Sequence, residues 1–208
     1  MRGYFGIGVE GISKTFNIGN LFRSAHAFDA SFVFTVDAVY KRNEGAKADT
    51  SDAPGHVPFY SFPDVETMVL PQGCSLVGVE LIDGAAELPS FRHPKNAAYV
   101  LGPERGSLSK AMLERCDYTI KIPTKFCVNV GIAGAIVMYD RLTSLGRFPV
   151  RPVSPGGTPE PVAPHQHGGP VRRRERREQR EISEQREMEP FRDTPPDTGA
   201  DERMKVET

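Results

Sequence analysis

Short apolar runs alternate with segments of helical spacing along the first 148 residues, and this alternation limits the possible folds most strongly. Runs rich in β-branched and aromatic residues predict strands, and they lie at 4–9, 31–39, 75–81, 96–101 and 118–122. Helical spacing or a helix-start signal predicts helices, at 17–28, 63–70, 108–115 and 130–145. Strands that alternate with helices predict an α/β fold, a mainly parallel sheet with helices on both faces.

The composition changes at Phe148 and Pro149. Prolines and glycines crowd the next fifteen or so residues, and a stretch rich in Arg and Glu follows at 171–189. Apolar residues become sparse there, so this region cannot bury enough surface to offset its ordering entropy. We therefore divide the chain into a folded domain, 1–148, and a tail, 149–208, which is disordered or contains an exposed helix held by Glu–Arg pairs.

The overall charge gives no sign of a nucleic-acid partner. The 26 Lys and Arg residues are balanced by 27 Asp and Glu residues, for a net charge of −1. Any RNA-binding surface must therefore be a local patch. The arginines between 172 and 177 form one candidate, which would contact phosphates in a salt-dependent manner.

The cysteines and the lengths of the apolar runs indicate the cellular compartment of the protein. Cys74, Cys116 and Cys127 lie far apart without metal-ligand spacing, which fits reduced thiols better than disulfides or a zinc site. No apolar run reaches transmembrane length, and the N-terminus does not look like a signal peptide. We expect a cytoplasmic protein with no bound metal and no membrane partner.

Residues 6–11 match GxGxxG, the fingerprint of dinucleotide-binding proteins. That motif needs its glycines between a strand and the N-terminus of a helix. Here Gly6 falls inside a predicted strand, and residues 11–16 show no immediate helical face. Asp37 could still act as a ribose-binding acid, so an NAD-dependent oxidoreductase remains an alternative. A second glycine-rich stretch, 102–110, lacks the GK[ST] tripeptide of a P-loop.

Residues 17–29 form the first of three segments that could carry chemistry. Asn17 stands at the predicted start of a helix, where it is a candidate N-cap. Arg23 follows two turns later. An ordinary surface arginine is the alternative interpretation of Arg23.

The other two segments each follow a predicted strand. Residues 99–109 form a glycine-bracketed turn that carries Glu104 and ends in serines suited to cap the next helix. Residues 120–135 pass from a proline through a polar loop to a helix of small residues, with Asn129 as its candidate N-cap. A common turn and an ordinary buried helix are the alternatives.

Together the three segments resemble the TrmH (SpoU) branch of the SPOUT RNA methyltransferases. Residues 17–23 resemble its N-x-G-x-x-x-R motif, and the turn with Gly102 and Glu104 resembles its G-x-E-x-x-G motif. Residues 122–130 resemble its I-P-x…S-x-N-V motif, with Cys127 in place of the serine. The resemblance covers residues 3–146.

The resemblance implies a C-terminal deep trefoil knot, with residues 122–145 threaded through a loop, and a homodimer with its site near the subunit interface. It also implies the cofactor S-adenosyl-L-methionine, bound in a bent form in the knot. Backbone groups would hold it, because such groups sit at fixed positions in rigid loops. The candidate cofactor-binding residues are Leu81, Gly102, Ile122, Cys127 and Val128.

The resemblance makes Arg23 the catalytic arginine, facing the methyl donor held in the loops after the strands. A guanidinium is a poor base, so we expect Arg23 to stabilise the alkoxide that forms on a ribose 2′-hydroxyl. Asn17 would orient Arg23 or the ribose, Asn129 would position the hydroxyl, and Glu104 would brace the loops.

The chain is thus predicted to be an RNA 2′-O-ribose methyltransferase. Its first strand begins near Tyr4, without the N-terminal domain of larger relatives that modify rRNA, so we expect tRNA rather than rRNA as the substrate. The departure at Cys127 leaves a catalytically dead RNA-binding module as another alternative.

Overall fold

The structure is a computed structural model that describes residues 3–12, 14–38, 53–103 and 106–162. Its strands are β1 (Phe5–Glu10), β2 (Phe32–Val36), β3 (Phe59–Phe62), β4 (Ser75–Val79), β5 (Ala86–Glu87), β6 (Ala97–Leu101) and β7 (Tyr118–Lys121). Its helices are α1 (Thr15–Ala27), α2 (Ala53–His56), α3 (Lys110–Arg115) and α4 (Val130–Leu145), with a 3-10 turn at Leu88–Ser90.

The described strands form one seven-stranded sheet in the order β3-β2-β1-β6-β4-β7-β5. Every neighbouring pair is parallel, which confirms the predicted parallel sheet. The central strands β1, β2 and β6 are buried along their whole length, because elements cover both faces of the sheet. All strands end at the same edge, where ligands bind in sheets of this kind.

Two apolar cores lie on opposite faces of the sheet. On one face α1 and α4 pack against β1 and β6, through side chains such as Leu21, Val137 and Tyr99. On the other face α3 and the turn before β4 contribute Met112 and Met68. The predicted placement of helices on both faces is therefore confirmed.

The first two glycines of the GxGxxG segment leave room for residues of the adjacent strand. Gly6 and Gly8 lie inside β1, and a Cβ atom at either position would overlap Phe32 or Phe34 of the adjacent strand. Helix α1 begins only at Thr15, well after the end of the strand. The segment therefore lacks the strand–glycine–helix geometry that a pyrophosphate needs.

The helix predicted at 63–70 is wrong. The Asp64 carboxylate accepts a hydrogen bond of 2.7 Å from the Thr67 amide, and the Met68 amide bonds to the Val65 carbonyl. This Asp side chain offers the backbone a partner that favours a turn. One turn also suffices to bury Val65 and Met68.

Two neighbouring segments also differ from the sequence prediction. Strand β3 was missed because it is an exposed edge strand that does not alternate apolar and polar residues. Helix α2 forms at 53–56, where the sequence analysis placed no element. The preceding residues, 39–52, lie outside the described residues.

A buried arginine ties α4 to the amino end of the sheet. Arg141 is 1% exposed. Its guanidinium donates hydrogen bonds to the carbonyls of Tyr4, Pro94 and Lys95 and to the Tyr99 hydroxyl. These groups lie at or near the starts of β1 and β6, so Arg141 anchors α4 at the edge opposite the strand ends.

His93 extends this polar network. Its Nδ1 lies 2.6 Å from the Tyr99 hydroxyl, and its Nε2 lies 2.9 Å from Asp140. Burial lowers the pKa of His93, although the hydrogen bond and charge of Asp140 act the other way. We assign the neutral ring a proton on Nε2, which donates to Asp140, while Nδ1 accepts from Tyr99.

The described residues after α4, 146–162, contain no helix or strand. Among the described helices, none combines the length and apolar character needed to cross a bilayer. The predicted exposed helix at 171–189 and the arginines at 172–177 lie outside the described residues. The domain boundary at 148 and the cytoplasmic location stay predictions.

Candidate functional site

A cleft opens at the carboxyl edge of the sheet. It encloses about 580 Å³, open solvent at its mouth included. Its walls come from the loops after β4, β6 and β7 and from the first turns of α4. Its lining residues are Val79, Glu80, Leu81, Leu101, Gly102, Pro103, Gly106, Ile122, Thr124, Cys127, Val128, Val130 and Ala133.

The structure brings all five candidate cofactor-binding residues together in this cleft. Leu81 follows β4, Gly102 follows β6, and Ile122 follows β7. Cys127 and Val128 lie in the short loop before α4, and Cys127 is an exposed free thiol. Their convergence follows from the parallel sheet, because the ends of β4, β6 and β7 lie side by side. Their role as ligand contacts stays a prediction.

Arg23 does not line the cleft formed by the described residues. It lies exposed in a second depression, a shallow groove between α1 and α4 that also contains Asn17 and Asn129. The start of α4 borders both depressions, with Val128 and Val130 in the cleft and Asn129 in the groove. Within one chain the predicted catalytic arginine and the predicted cofactor residues are therefore neighbours, not members of one pocket.

Asn17 is not the N-cap of α1, contrary to the sequence prediction. The helix begins two residues earlier, after Lys14, and the Asn17 amide bonds to the Lys14 carbonyl. The Asn17 side chain instead accepts a hydrogen bond of 3.2 Å from Asn129. It is buried to 8% exposure, so this contact fixes the first turn of α1 against the start of α4.

Asn129 is the N-cap of α4, as its position predicts. Its side-chain oxygen accepts from the Gly131 amide at 2.9 Å, while its nitrogen donates to Asn17. To position a ribose hydroxyl as predicted, the Asn129 side chain would have to bind it in addition to these two contacts.

Glu104 lies outside the described residues, so its bracing role stays a prediction. In this chain Gly106 follows Glu104 after one residue, so the segment is one residue shorter than G-x-E-x-x-G. Ser109 caps α3 by accepting from the Met112 amide, as predicted for a serine at this turn.

Two carboxylates beside the cleft were missed by the sequence analysis. Glu10 ends β1 and bonds to Ser109, while Glu80 follows β4 and bonds to Leu108. One signal was available in the sequence, because each glutamate lies within one residue of the end of a predicted strand, in the same tripeptide, Gly-Val-Glu.

The fold and the site define a parallel α/β domain with its binding cleft at the strand ends. The model of the SpoU rRNA Methylase family matches residues 5–139. The chain therefore belongs to this family.

Curated relatives are distant and longer. The chain is 26% identical over 140 residues to a putative TrmH family tRNA/rRNA methyltransferase of Staphylococcus epidermidis, covering 64% of this chain and 55% of the relative. It is 22% identical over 137 residues to the tRNA (guanosine(18)-2′-O)-methyltransferase of Mus musculus, covering 62% of this chain and 9% of the relative. The chain thus spans about half of one relative and under a tenth of the other.

Solved structures share the fold. The SpoU methyltransferase AviRb of Streptomyces viridochromogenes matches with a TM-score of 0.61 and 22% identity, over 69% of this chain and 60% of that one. An AdoMet-bound rRNA methyltransferase of Sinorhizobium meliloti matches with a TM-score of 0.63 and 17% identity, over 71% of this chain and 59% of that one.

Proposed function

We propose that this chain is an RNA 2′-O-ribose methyltransferase that uses S-adenosylmethionine. One observation carries the proposal: the loops after β4, β6 and β7 form a single cleft beside a groove that holds Arg23, Asn17 and Asn129. The S. meliloti structure that shares the fold has AdoMet bound.

The cleft fits the adenosyl part of this cofactor. Its walls combine apolar side chains, such as Leu81, Ile122 and Val128, with backbone groups of three loops. Gly102 has no room for a side chain, since a Cβ atom there would lie 2.9 Å from the Leu108 amide nitrogen and 3.1 Å from Glu80. The cofactor, when bound, supplies an electrophilic methyl group.

Arg23 provides the charge that the reaction needs. A guanidinium is permanently protonated, so it stabilises negative charge that develops on a ribose oxygen rather than removing the proton. Its planar fork can also hold a phosphate oxygen of the RNA. Asn129 is the residue that we assign to the 2′-hydroxyl, and Asn17 holds Asn129 in place.

The chain also forms the family's trefoil knot and a homodimer in this proposal. Residues 122–145 are the threaded part, and the tight packing of Gly134 against Leu21 supports a close crossing of α4 and α1. The groove between these helices exposes Phe16, Ile132, Ile136 and Tyr139, which are 37% to 60% exposed. Exposed apolar patches of this kind mark protein interfaces, and a second copy of the chain is the proposed occupant.

The proposed dimer would also bring Arg23 of one chain to the cofactor cleft of the other chain, because Arg23 lies on the proposed dimer surface. Co-purified dimers of an Arg23→Ala chain and a Gly102→Val chain test this arrangement. They should regain one of the two sites of a normal dimer, about half of its activity, if Arg23 works across the interface, and stay inactive if each chain is self-sufficient.

The proposed substrate is tRNA. The chain covers 92% of a solved chain described as giving structural insights into the 2-OH methylation of C/U34 on tRNA, at a TM-score of 0.60 and 20% identity. It covers only 60% of AviRb. Since rRNA methyltransferases also share the fold, rRNA is the second candidate.

A methyl-transfer assay tests the function directly. The purified protein is incubated with S-adenosylmethionine that carries a labelled methyl group and with tRNA or rRNA, and the RNA is digested to nucleosides. The proposal predicts a labelled 2′-O-methyl nucleoside from tRNA. Label on a base, or RNA binding without any transfer, would contradict it, and the second result would favour the inactive RNA-binding module.

A further inference from the structure

Two carboxylates flank the segment that follows β6, and the structure describes its residues 102–103 and 106–109, which we name the 102–109 loop. In the sheet, β6 lies between β1 and β4. Glu10 is the last residue of β1, and Glu80 directly follows β4. The loop therefore leaves the sheet between two glutamates, and it supplies Gly102, Pro103 and Gly106 to the cleft.

Glu10 holds the far end of the loop. Its carboxylate accepts from the Ser109 amide at 2.8 Å and from the Ser109 hydroxyl at 2.6 Å. Glu10 is only 6% exposed. A carboxylate is costly to bury without donors, so these two bonds favour one position of the loop end.

Glu80 holds the adjacent residue from the other side. One oxygen accepts from the Leu108 amide at 2.8 Å, and the other accepts from the Leu81 amide at 3.0 Å. One carboxylate thus links the 102–109 loop to the loop after β4. Both loops line the cleft, and Glu80 itself is part of its wall.

We propose that Glu10 and Glu80 are positioning residues that clamp the 102–109 loop in the shape required to bind the methyl donor. The consequence for binding rests on the proposed use of S-adenosylmethionine. Neither residue needs to touch the cofactor, because the clamp acts through the backbone of Leu108 and Ser109.

The two glutamates should respond differently to replacement by glutamine. At Glu80 both partners are backbone N–H donors, so Glu80→Gln places its NH₂ group against one of them and keeps only one bond. At Glu10 one partner is the Ser109 hydroxyl, which can accept as well as donate. Glu10→Gln therefore keeps both bonds, whereas Glu10→Ala loses both. The same chemical change should thus have opposite outcomes at the two positions.

Calorimetry with S-adenosylmethionine and S-adenosylhomocysteine tests this difference. Glu80→Gln and Glu10→Ala should each raise the Kd of both ligands by about tenfold, because each removes at least one hydrogen bond that holds a loop of the cleft. Glu10→Gln should restore most of the affinity lost in Glu10→Ala. Glu114→Gln, at an exposed carboxylate of α3, is the matched control and should bind normally. Unchanged Kd values in Glu80→Gln, or loss for S-adenosylmethionine alone, would overturn the clamp.

Amide hydrogen exchange in the ligand-free protein separates this inference from the proposed function. The Leu108 amide should exchange faster in Glu80→Ala, which removes both bonds, and the Ser109 amide should exchange faster in Glu10→Ala. Normal protection in both variants would refute the clamp even if the wild-type protein binds the cofactor. Wild-type protein that binds neither ligand would refute the proposed cofactor, while the exchange rates would still decide whether the carboxylates fix the loop.

Discussion

The two edges of the parallel sheet hold their polar side chains in opposite ways. At the amino edge, Arg141, Tyr99 and His93 are buried and bonded to one another and to nearby carbonyls. At the carboxyl edge Cys127 is exposed in the cleft, and Arg23 is exposed in the adjacent groove between α1 and α4. Polar groups whose partners lie inside the protein stabilise it, whereas those open to solvent are available to a ligand.

The same helix joins the two edges. Helix α4 begins after its N-cap Asn129, between the groove and the cleft, and its second half carries Asp140 and Arg141 of the buried network. The buried network therefore fixes the helix whose first turn borders both the cleft and the groove. Variants at the amino edge should change the free energy of unfolding, and variants at the carboxyl edge should change methyl transfer.

The largest expected effect is at Arg141. Arg141→Met leaves the carbonyls of Pro94 and Lys95 without their donor, and we expect a loss of about 3–5 kcal/mol in the free energy of unfolding. Urea unfolding measures it. Arg151→Met, at an exposed arginine, is the control and should change stability by less than about 0.5 kcal/mol. Equal stabilities of the two variants would contradict a structural role for the buried network.

Arg23 should show the reverse pattern. Arg23→Ala removes the charge proposed to stabilise the alkoxide, so methyl transfer should fall by about 10²–10³-fold. The melting temperature should stay the same, because Arg23 is exposed. Arg23→Lys should also transfer poorly, since lysine lacks the planar fork. Either variant at near-normal rate would remove Arg23 from the mechanism.

Most of the elements of the fold could be predicted from the sequence, but some could not. Alternating apolar runs and helical spacing predicted most of the elements and the parallel sheet, because a central strand covered on both faces is apolar throughout. The edge strand β3 carried no such pattern. Arg141 was not recognised as buried, since its three carbonyl partners come from distant parts of the chain.

Part of the candidate site could also be predicted from the sequence. Family motifs selected the residues that meet in the cleft, including Gly102 and Ile122. Spacing could not show that Arg23 lines a separate groove, because that depends on how α1 packs against α4. Glu10 and Glu80 fell outside the motifs, and only the strand order shows that they flank one loop.

A smaller effect concerns pH. Burial lowers the pKa of His93, so below about pH 6.5 the unfolded chain binds a proton that the folded protein resists. The free energy of unfolding should therefore fall as the pH drops through this range, by at most about 1.4 kcal/mol per pH unit from this group. His93→Gln should flatten that slope in urea titrations at pH 5 to 7. An unchanged slope would show that other groups cause the acid sensitivity.

The smallest expected effect is at Cys127. A hydroxyl is a better hydrogen-bonding group than a thiol, so Cys127→Ser should tighten cofactor binding by about two- to fivefold. Calorimetry with S-adenosylmethionine measures the change. Weaker binding would mean that the cleft depends on the thiol itself.

A crystal structure of the protein grown with S-adenosylmethionine tests the central claim most directly. The account predicts density for the adenosyl group in the cleft, in contact with the backbone of Leu81, Gly102 and Ile122. Density at the amino edge, or an empty cleft at a saturating concentration of the cofactor, would contradict the assignment of the carboxyl edge as the binding site.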